Sequence, residues 1–336
     1  MIAHRSHGND DLQLNDIMET ALSFQKSRVL LTAYELGVFT ALGEKSKSSA
    51  EVANALGAAE RATDRLMNAL CSMSFLEKKG DRFSNTPLTS KFFVEGKPDF
   101  SRGFMHFVQT WDTWSTLTEA VRQGKSVIGE KLDEHSKEWF EPFIALMHEH
   151  TLEQAPAVVA LLDIPEGLRL LDVGGGSGGY SMAFVRAKKG ATAVVFDLPK
   201  VTPLAENYIA EAGLSDKIKT KTGDYKVTDF GSGFDLVFLS AIIHINSVEE
   251  NRKLIKKSAQ ALNPGGQVVI QDFIMDENRI SPPFNALFAL TMLVATESGD
   301  TYTESEVRTW MEEAGLSNII RKDTGFDSSL IIGKKA

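Results

Sequence analysis

A glycine-rich turn between a predicted strand and a predicted helix constrains this chain more than any other feature. In the segment LLDVGGGSGGYSMAF, Gly174, Gly176 and Gly179 follow the pattern G-x-G-x-x-G. A turn of this kind brings the polar part of a ligand to a helix N-terminus, where backbone N–H groups are free to bind it. The pattern alone is weak, because a tight turn that binds nothing can carry the same glycines. The surrounding residues therefore decide its meaning.

Acidic residues around the glycine turn indicate a cofactor that carries a ribose. Asp197 ends the next predicted strand, and a carboxylate there can accept hydrogen bonds from two ribose hydroxyls. NAD and S-adenosylmethionine both meet this requirement. Asp172 lies just before the first glycine, where a carboxylate suits the amino-acid end of S-adenosylmethionine and has no evident use beside a pyrophosphate.

The end of a third predicted strand favours S-adenosylmethionine further. The segment KIKTKTGDY places Asp224 where its carboxylate can accept a hydrogen bond from the amino group of adenine. Tyr225 follows directly and can lie against the adenine ring. An NAD enzyme remains the weaker alternative.

The order of the predicted elements divides the chain. From residue 168 onward, short apolar segments rich in β-branched residues alternate with predicted helices, which is typical of a parallel sheet with crossover helices. We therefore expect an α/β fold with a doubly wound, Rossmann-like domain over residues 161–336. Residues 1–100 read as helices followed by a hairpin that turns at Lys79-Gly80-Asp81, which is typical of a winged helix. Residues 101–160 are predicted to be connecting helices that contribute to a substrate pocket.

Charge argues against a nucleic-acid or membrane partner. The chain has 36 Lys and Arg against 45 Asp and Glu, and residues 48–95 contain six basic and six acidic residues. A winged helix that binds DNA needs a basic face, which is missing here. The single cysteine, Cys71, excludes a disulfide framework and a cysteine-rich zinc site. The polar start has no signal-peptide core, and we expect a cytoplasmic protein without a membrane span.

Taken together, the motifs resemble one known family. The segments LLDVGGGSG, FDLP, GDY, IIH, ALNPGG and QDF occur in order and at matching spacing. In this combination the sequence resembles the class I S-adenosylmethionine-dependent O-methyltransferases of the plant caffeate and bacterial small-molecule (hydroxyneurosporene, anthracycline) type. The resemblance covers about 300 residues and implies a homodimer formed by the N-terminal domain. It also implies cofactor contacts at Gly174, Gly176, Asp197, Leu198, Asp224, Tyr225 and Ser240.

His244 is the candidate general base. A histidine beside an apolar strand is more often structural than catalytic, but His244 follows the fourth strand, at the sheet edge where ligands bind in such folds. The resemblance implies that a histidine here removes the proton of the acceptor hydroxyl. Asp272 ends the next strand, and the family carries an acid at that position beside the histidine. Asp272 can orient the imidazole and stabilise its protonated form.

The sequence departs from the family pattern at two points. The family motif His-Asp-Trp is His244-Ile245-Asn246 here, and Thr301 stands where many relatives have a second catalytic glutamate. Asp300 and Glu297 are the candidates to replace that acid. Two other hypotheses stay open, and Thr301 favours the first of them. One is a relative that binds the cofactor for decarboxylation or hydroxylation, and the other is a winged-helix regulator that senses the cofactor.

Apolar residues on two predicted helices are the candidate substrate contacts. A flat aromatic acceptor needs an apolar slot with few polar groups, and methionine adapts to one. The predicted contacts are Phe143, Met147, Phe284, Phe288 and Met292. No metal site is predicted, because His148 and His150 do not share a helical face. We therefore expect methyl transfer from S-adenosylmethionine to a hydroxyl of a small aromatic or polyketide-like molecule.

Overall fold

The computed structural model describes residues 12–128 and 136–336 of the chain. The chain divides into two compact units, residues 1–108 and 109–336. The domain boundaries predicted at residues 100 and 160 stay predictions.

Two predicted features fall outside the described residues. They are the polar start, at residues 1–11, and part of the predicted connecting helices, at residues 129–135.

The N-terminal unit has the winged-helix arrangement that the sequence predicts. Its three-stranded antiparallel sheet has the order β1-β3-β2, and a turn at Gly80-Asp81 joins β2 to β3. Helix α3 begins with the predicted capping box, in which Ser48 accepts a hydrogen bond from the backbone of Glu51. The elements are α1 (Leu14–Glu35), α2 (Val38–Leu42), β1 (Lys47–Ser48), α3 (Ser49–Leu56), α4 (Glu60–Ser72), β2 (Leu76–Lys79), β3 (Arg82–Asn85) and α5 (Pro87–Phe93).

Helix α1 leaves part of its apolar surface uncovered. The core of this unit contains Phe39, Met67 and Phe83, each at most 1% exposed. The first half of α1 packs differently, because five of its apolar side chains are between 48% and 72% exposed: Leu14, Ile17, Met18, Leu22 and Phe24. Apolar surface of this extent is typical of a face that binds another protein.

The C-terminal unit is built on one seven-stranded sheet with the order β6-β5-β4-β7-β8-β10-β9. The strands from β6 to β8 are parallel, and β10 is antiparallel to β8 and β9. The strands are β4 (Arg169–Val173), β5 (Thr192–Asp197), β6 (Ile218–Thr222), β7 (Phe234–Ser240), β8 (Leu262–Asp272), β9 (Leu316–Asp323) and β10 (Ser329–Lys335).

Helices pack on both faces of this sheet. On one face lie α8 (Lys137–Ala160), α9 (Gly179–Ala187) and α10 (Thr202–Glu211), and on the other α11 (Val248–Ala261) and α13 (Glu304–Glu313). The unit also contains α7 (Leu117–Gln123) and α12 (Pro283–Ala295), which contact each other, and α6 (Met105–Ser115) spans the division between the units. The predicted capping boxes start α11 at Ser247 and α13 at Thr303. Among the helices that the structure describes, none is long and apolar enough to cross a membrane.

The sheet explains where a ligand can bind. Successive residues of β4 point to opposite faces, so Leu170 belongs to one buried cluster and Leu171 to the other. Burial on both faces accounts for the near-continuous apolar strands of the sequence. The strand order reverses at β4, which lies between β5 and β7. In open α/β sheets the carboxyl ends of the strands at such a reversal form the binding crevice.

Candidate active site

The glycine turn after β4 has a backbone that side chains would disrupt. Gly174 has φ +67°, and a Cβ atom on it would lie 2.5 Å from Cδ1 of Ile242. A Cβ atom on Gly175 would lie 2.8 Å from the carboxyl carbon of Asp172. Position 174 requires glycine because other residues rarely adopt a positive φ, and because a Cβ atom there would overlap the side chain of Ile242. The turn therefore keeps its backbone close to the cavity beside it.

Asp197 closes the other side of the turn. Its Oδ2 atom accepts a hydrogen bond from the backbone N–H of Gly176 at 2.8 Å, and its Oδ1 atom accepts one from Leu198 at 2.7 Å. Burial raises the pKa of Asp197 to about 6, although these two hydrogen bonds lower it. Each carboxylate oxygen keeps acceptor capacity, so the pair can still receive two ribose hydroxyls.

Asp172 has an acceptor without a partner. The residue is 1% exposed, and its Oδ2 atom accepts a hydrogen bond from the hydroxyl of Ser181 at 2.7 Å. Among the described residues, its buried Oδ1 atom makes no hydrogen bond. Burial raises the pKa of Asp172 to about 6. A buried acceptor beside a cavity fits a cationic donor of a ligand, because leaving it unpaired is costly.

One cavity of about 170 Å³ brings most of the predicted site residues together. It lies within the C-terminal unit, between α8 and the carboxyl ends of the strands. Its lining includes ten predicted residues: Phe143, Met147, Asp172, Gly174, Gly176, Asp197, Leu198, Tyr225, Ser240 and His244. The combination of acidic groups, exposed backbone and apolar wall suits a cofactor that is polar at one end and aromatic at the other.

Asp224 and Ser240 have other partners in the structure. The Oδ1 atom of Asp224 accepts a hydrogen bond from the backbone of Lys226 at 2.7 Å, and the cavity is lined by its neighbours Gly223 and Tyr225 rather than by Asp224 itself. The hydroxyl of Ser240 donates to Oε1 of Gln271 at 3.2 Å while the residue lines the cavity.

His244 and Asp272 form a buried pair. His244 is 7% exposed and Asp272 is 2% exposed, and Nδ1 of the histidine lies 2.7 Å from Oδ1 of the aspartate. The carboxylate accepts two more hydrogen bonds, from the backbone of Ile243 at 3.1 Å and of Phe273 at 2.8 Å. Because a carboxylate only accepts, the Nδ1 atom carries the proton in the neutral ring. The Nε2 atom is then left with its lone pair.

Aromatic rings surround the histidine. The ring of Phe288 meets it edge-on with centroids 4.9 Å apart, and the ring of Phe273 lies 5.9 Å away. Phe273 in turn contacts Phe284 and Phe288 of α12. The predicted residues Phe284, Phe288 and Met292 do not line the cavity, although Phe288 touches the candidate base. The sequence analysis did not identify Phe273 as a neighbour of His244. Its position directly after Asp272 could have indicated this.

The sequence also missed part of the α8 wall. Phe140, Ile144 and Thr151 line the cavity together with Phe143 and Met147. Their spacing of three and four residues puts all five on one face of the helix, so the helical period was a sufficient signal.

Thr301 and the two candidates for a second acid, Asp300 and Glu297, do not line the cavity. Asp300 lies 3.8 Å from Arg279, and its backbone N–H donates to the carbonyl of His244 at 2.9 Å. Thr301 is 2% exposed and its carbonyl accepts a hydrogen bond from Arg279. Glu297 is exposed. In the described residues, no group of three or more His, Cys, Asp and Glu is arranged to hold a metal ion.

Comparison with known proteins gives consistent matches over most of the chain. Residues 114–317 match the O-methyltransferase domain family, and residues 18–95 match the O-methyltransferase dimerisation domain. The chain is 30% identical to a 3-hydroxy-5-methyl-1-naphthoate 3-O-methyltransferase of Streptomyces sahachiroi, over 95% of each chain. It is 28% identical to the tetracenomycin polyketide synthesis 8-O-methyl transferase TcmO of Streptomyces glaucescens, over 95% of this chain and 96% of that one.

A solved structure has the same fold. The human N-acetylserotonin methyltransferase in complex with SAM superposes with a TM-score of 0.84 at 24% identity, covering 98% of this chain and 100% of that chain.

Proposed function

Because the chain belongs to the O-methyltransferase family, whose methyl donor is S-adenosylmethionine, we propose that His244 is its general base and that it methylates a hydroxyl of a small aromatic or polyketide-like molecule. The observation that carries this proposal is the 2.7 Å contact between Nδ1 of His244 and Asp272. The same histidine lines the cavity to which the glycine turn belongs. Base and cofactor site therefore share one space.

The residues around the cavity fit the parts of S-adenosylmethionine. In this proposal Asp197 receives the ribose hydroxyls, the free Oδ1 atom of Asp172 pairs with the amino group, and Tyr225 lies against the adenine. Asp224 accepts from the adenine amino group at the end of β6. The further contacts are Gly174, Gly176, Leu198 and Ser240. When bound, the cofactor supplies an electrophilic methyl group.

The histidine removes the proton that the acceptor loses. A phenol has a pKa of about 10 and is mostly neutral near pH 7, while imidazole titrates at about 6.5. With the cofactor bound, the Nε2 lone pair would take the hydroxyl proton as the oxygen bonds to the methyl carbon and the bond from that carbon to the sulfonium sulfur breaks, its electron pair staying on sulfur. The negative charge of Asp272 then stabilises the imidazolium through Nδ1–H. The proton leaves later to solvent, which restores the neutral ring.

The apolar surroundings favour an aromatic acceptor. Phe143 and Met147 line the cavity, and Phe284, Phe288 and Met292 lie on α12, whose Phe288 touches the base. Aromatic walls of this kind hold flat rings by area and edge-to-face contacts. Two relatives are named for methylating a hydroxynaphthoate and a tetracenomycin polyketide, which supports fused aromatic phenols as the acceptor class.

The N-terminal unit supports a homodimer. It matches a dimerisation domain, and α1 exposes a row of apolar side chains that a second copy can cover. A cytoplasmic location stays part of the proposal.

Methyl transfer from isotope-labelled S-adenosylmethionine tests the proposed function. Wild type, His244→Ala and His150→Ala are compared on a panel of phenols and naphthols, after calorimetry has established that each binds the cofactor. His150 is an exposed histidine on α8 and serves as the matched control. We expect label in at least one acceptor with wild type and His150→Ala, and a loss of about 10² to 10⁴ in rate with His244→Ala. Equal transfer by His244→Ala would contradict the assignment of the base.

A further inference from the structure

Tyr225, on the wall of the cavity, is hydrogen-bonded to a residue of the turn that carries the candidate base. Its hydroxyl donates to Oδ1 of Asn246 at 2.7 Å. Asn246 is 0% exposed and ends the short 3₁₀ turn Ile243–Ile245, which contains His244. Burial raises the pKa of the Tyr225 hydroxyl, so it is a donor at any working pH. A single contact thus joins the cavity wall to the turn of the base.

The other hydrogen bonds of Asn246 determine the orientation of its amide. The Nδ2 group donates to the carbonyl of Ile242 at 3.3 Å and to Oδ1 of Asn251 at 3.2 Å. Both partners are acceptors, so the NH₂ group faces them and the Oδ1 atom faces Tyr225. The amide could not turn over without placing its NH₂ group against the Tyr225 hydroxyl and its oxygen against two acceptors.

Hydrogen bonds around Asn246 also hold the backbone of the 3₁₀ turn Ile243–Ile245. Asn251 is also 0% exposed, and its Nδ2 group donates to the carbonyl of Ile243 at 2.9 Å. The hydroxyl of Tyr302 donates to the carbonyl of Asn246. We call Tyr225, Asn246, Asn251 and the carbonyls of Ile242 and Ile243 the Asn246 network. Its side-chain polar atoms all have partners, which is the condition under which a buried polar network rigidifies its surroundings.

We propose that Asn246 is a positioning residue that ties the orientation of His244 to the cavity wall formed by Tyr225. This rests on the proposed function, in which His244 is the base and Tyr225 contacts the cofactor. The Asn246 network holds the two carbonyls that precede His244, and Asp272 holds its ring from the other side. A shift of Tyr225 moves the amide of Asn246 and, through it, the turn of the base. An error of about 1 Å at such a position can cost a large factor in rate.

The proposed positioning role depends on asparagine at position 246. The family motif has tryptophan there, and an indole offers one donor and no acceptor. Only a side chain with both a carbonyl and an NH₂ group makes the contacts of Asn246. The tryptophan that the resemblance implies at this position could not make these contacts.

Three variants and a matched control separate positioning from simple support of the fold. Tyr225→Phe removes one hydroxyl and keeps the ring, Asn246→Ala removes the link, and the double variant removes both partners. Ser258→Ala is the control, because it deletes a buried hydroxyl that bonds the Leu254 carbonyl on the same helix, α11. Thermal unfolding of all four establishes that they are folded under the assay conditions.

The first readout needs no acceptor. The imidazole ¹⁵N resonances of His244, assigned by comparison with His244→Gln, are recorded with and without S-adenosylhomocysteine. We expect Tyr225→Phe and Asn246→Ala to shift these resonances and Ser258→Ala to leave them in place. Resonances unchanged from wild type in both network variants would overturn the proposal, whatever the loss of stability.

The second readout is kinetic, at saturating S-adenosylmethionine with the best phenol from the panel. We expect kcat to fall about tenfold in Tyr225→Phe and in Asn246→Ala, because saturation removes any effect on cofactor affinity. The double variant should be no slower than Asn246→Ala, since the two changes break one contact. Additive losses, or a full kcat in both single variants while His244→Ala is inactive, would overturn the positioning role and leave the proposed function intact. Full activity in His244→Ala would overturn both.

Discussion

Replacing Asp272 by asparagine tests the buried pair with the smallest change of shape. The carboxylate accepts three hydrogen bonds, from Nδ1 of His244 and from the backbones of Ile243 and Phe273. An amide has one oxygen, so it cannot serve both sides of this site. With the oxygen kept toward His244 and Phe273, its NH₂ group faces the N–H of Ile243. With the oxygen turned toward Ile243, the NH₂ group faces the imidazole and forces the other tautomer.

The expected loss follows from these two orientations. The first keeps the tautomer but replaces a charge-assisted hydrogen bond to the imidazolium by a neutral one. The charge-assisted bond contributes about 1.5–3 kcal/mol and the neutral one about 0.5–1.5 kcal/mol, so the difference of about 1–1.5 kcal/mol corresponds to a fall in kcat of roughly 5- to 13-fold. The second orientation places the proton on Nε2, where it blocks the base, and costs more. Two N–H groups facing each other in a buried site also lower the free energy of unfolding by about 1–3 kcal/mol.

The assay measures kcat, cofactor affinity and unfolding separately. Asp272 does not line the cavity, so the Kd for S-adenosylmethionine should change little while kcat falls. Asp235→Asn is the control, because Asp235 accepts hydrogen bonds from Arg169 and Asn263 at the opposite end of β7. It should retain kcat within about twofold. A normal kcat in Asp272→Asn, with His244→Ala inactive, would refute the role given to the aspartate.

Three further predictions concern the cofactor and the dimer. Burial raises the pKa of Asp172 and Asp197 to about 6, so both carboxylates gain protons as the pH falls through 6 and lose acceptor strength. Calorimetry should therefore find weaker S-adenosylmethionine binding at pH 5 than at pH 7.5, with protons released on binding near pH 6. Equal affinity at both pH values would contradict this. Gly174→Ala should abolish cofactor binding and cost at least about 1–2 kcal/mol of stability, because its φ is positive and its Cβ atom meets Ile242. A normal thermal shift with the cofactor would contradict it. Sedimentation should find a dimer at micromolar concentration that Ile17→Asp dissociates, and a wild-type monomer would refute the dimer.

Local rules account for the features that the sequence predicts well. The capping box at Ser247, the hairpin turn at Gly80 and the glycine turn at Gly174 depend on neighbours in the chain. The pairing of His244 with Asp272 was also predictable. Strands β7 and β8 are parallel neighbours in register, with Ser240 opposite Gln271, so the residues that follow each strand meet at one edge. The predicted family, fold class and cofactor are confirmed by the comparisons.

Other features depend on packing that sequence periodicity does not contain. The direction in which α12 points its aromatic residues depends on its packing, so Phe288 touches His244 while Phe284 is 40% exposed. The pairing of Asp300 with Arg279 depends on a loop between two elements. The contact of Tyr225 with Asn246 joins side chains 21 residues apart in the sequence. Tyr225 follows β6 and Asn246 follows β7, and these two strands are not neighbours in the sheet.

The most direct test of the general base compares two acceptors in wild type and His244→Ala. One is an ordinary phenol, neutral at the assay pH, and the other is a nitro-substituted phenol already ionised at that pH. Both enzymes are saturated with labelled S-adenosylmethionine. We predict that His244→Ala loses about 10² to 10⁴ in rate on the neutral phenol and far less on the ionised one, because the second acceptor needs no base. Equal losses on both acceptors would mean that His244 does not act by removing the proton.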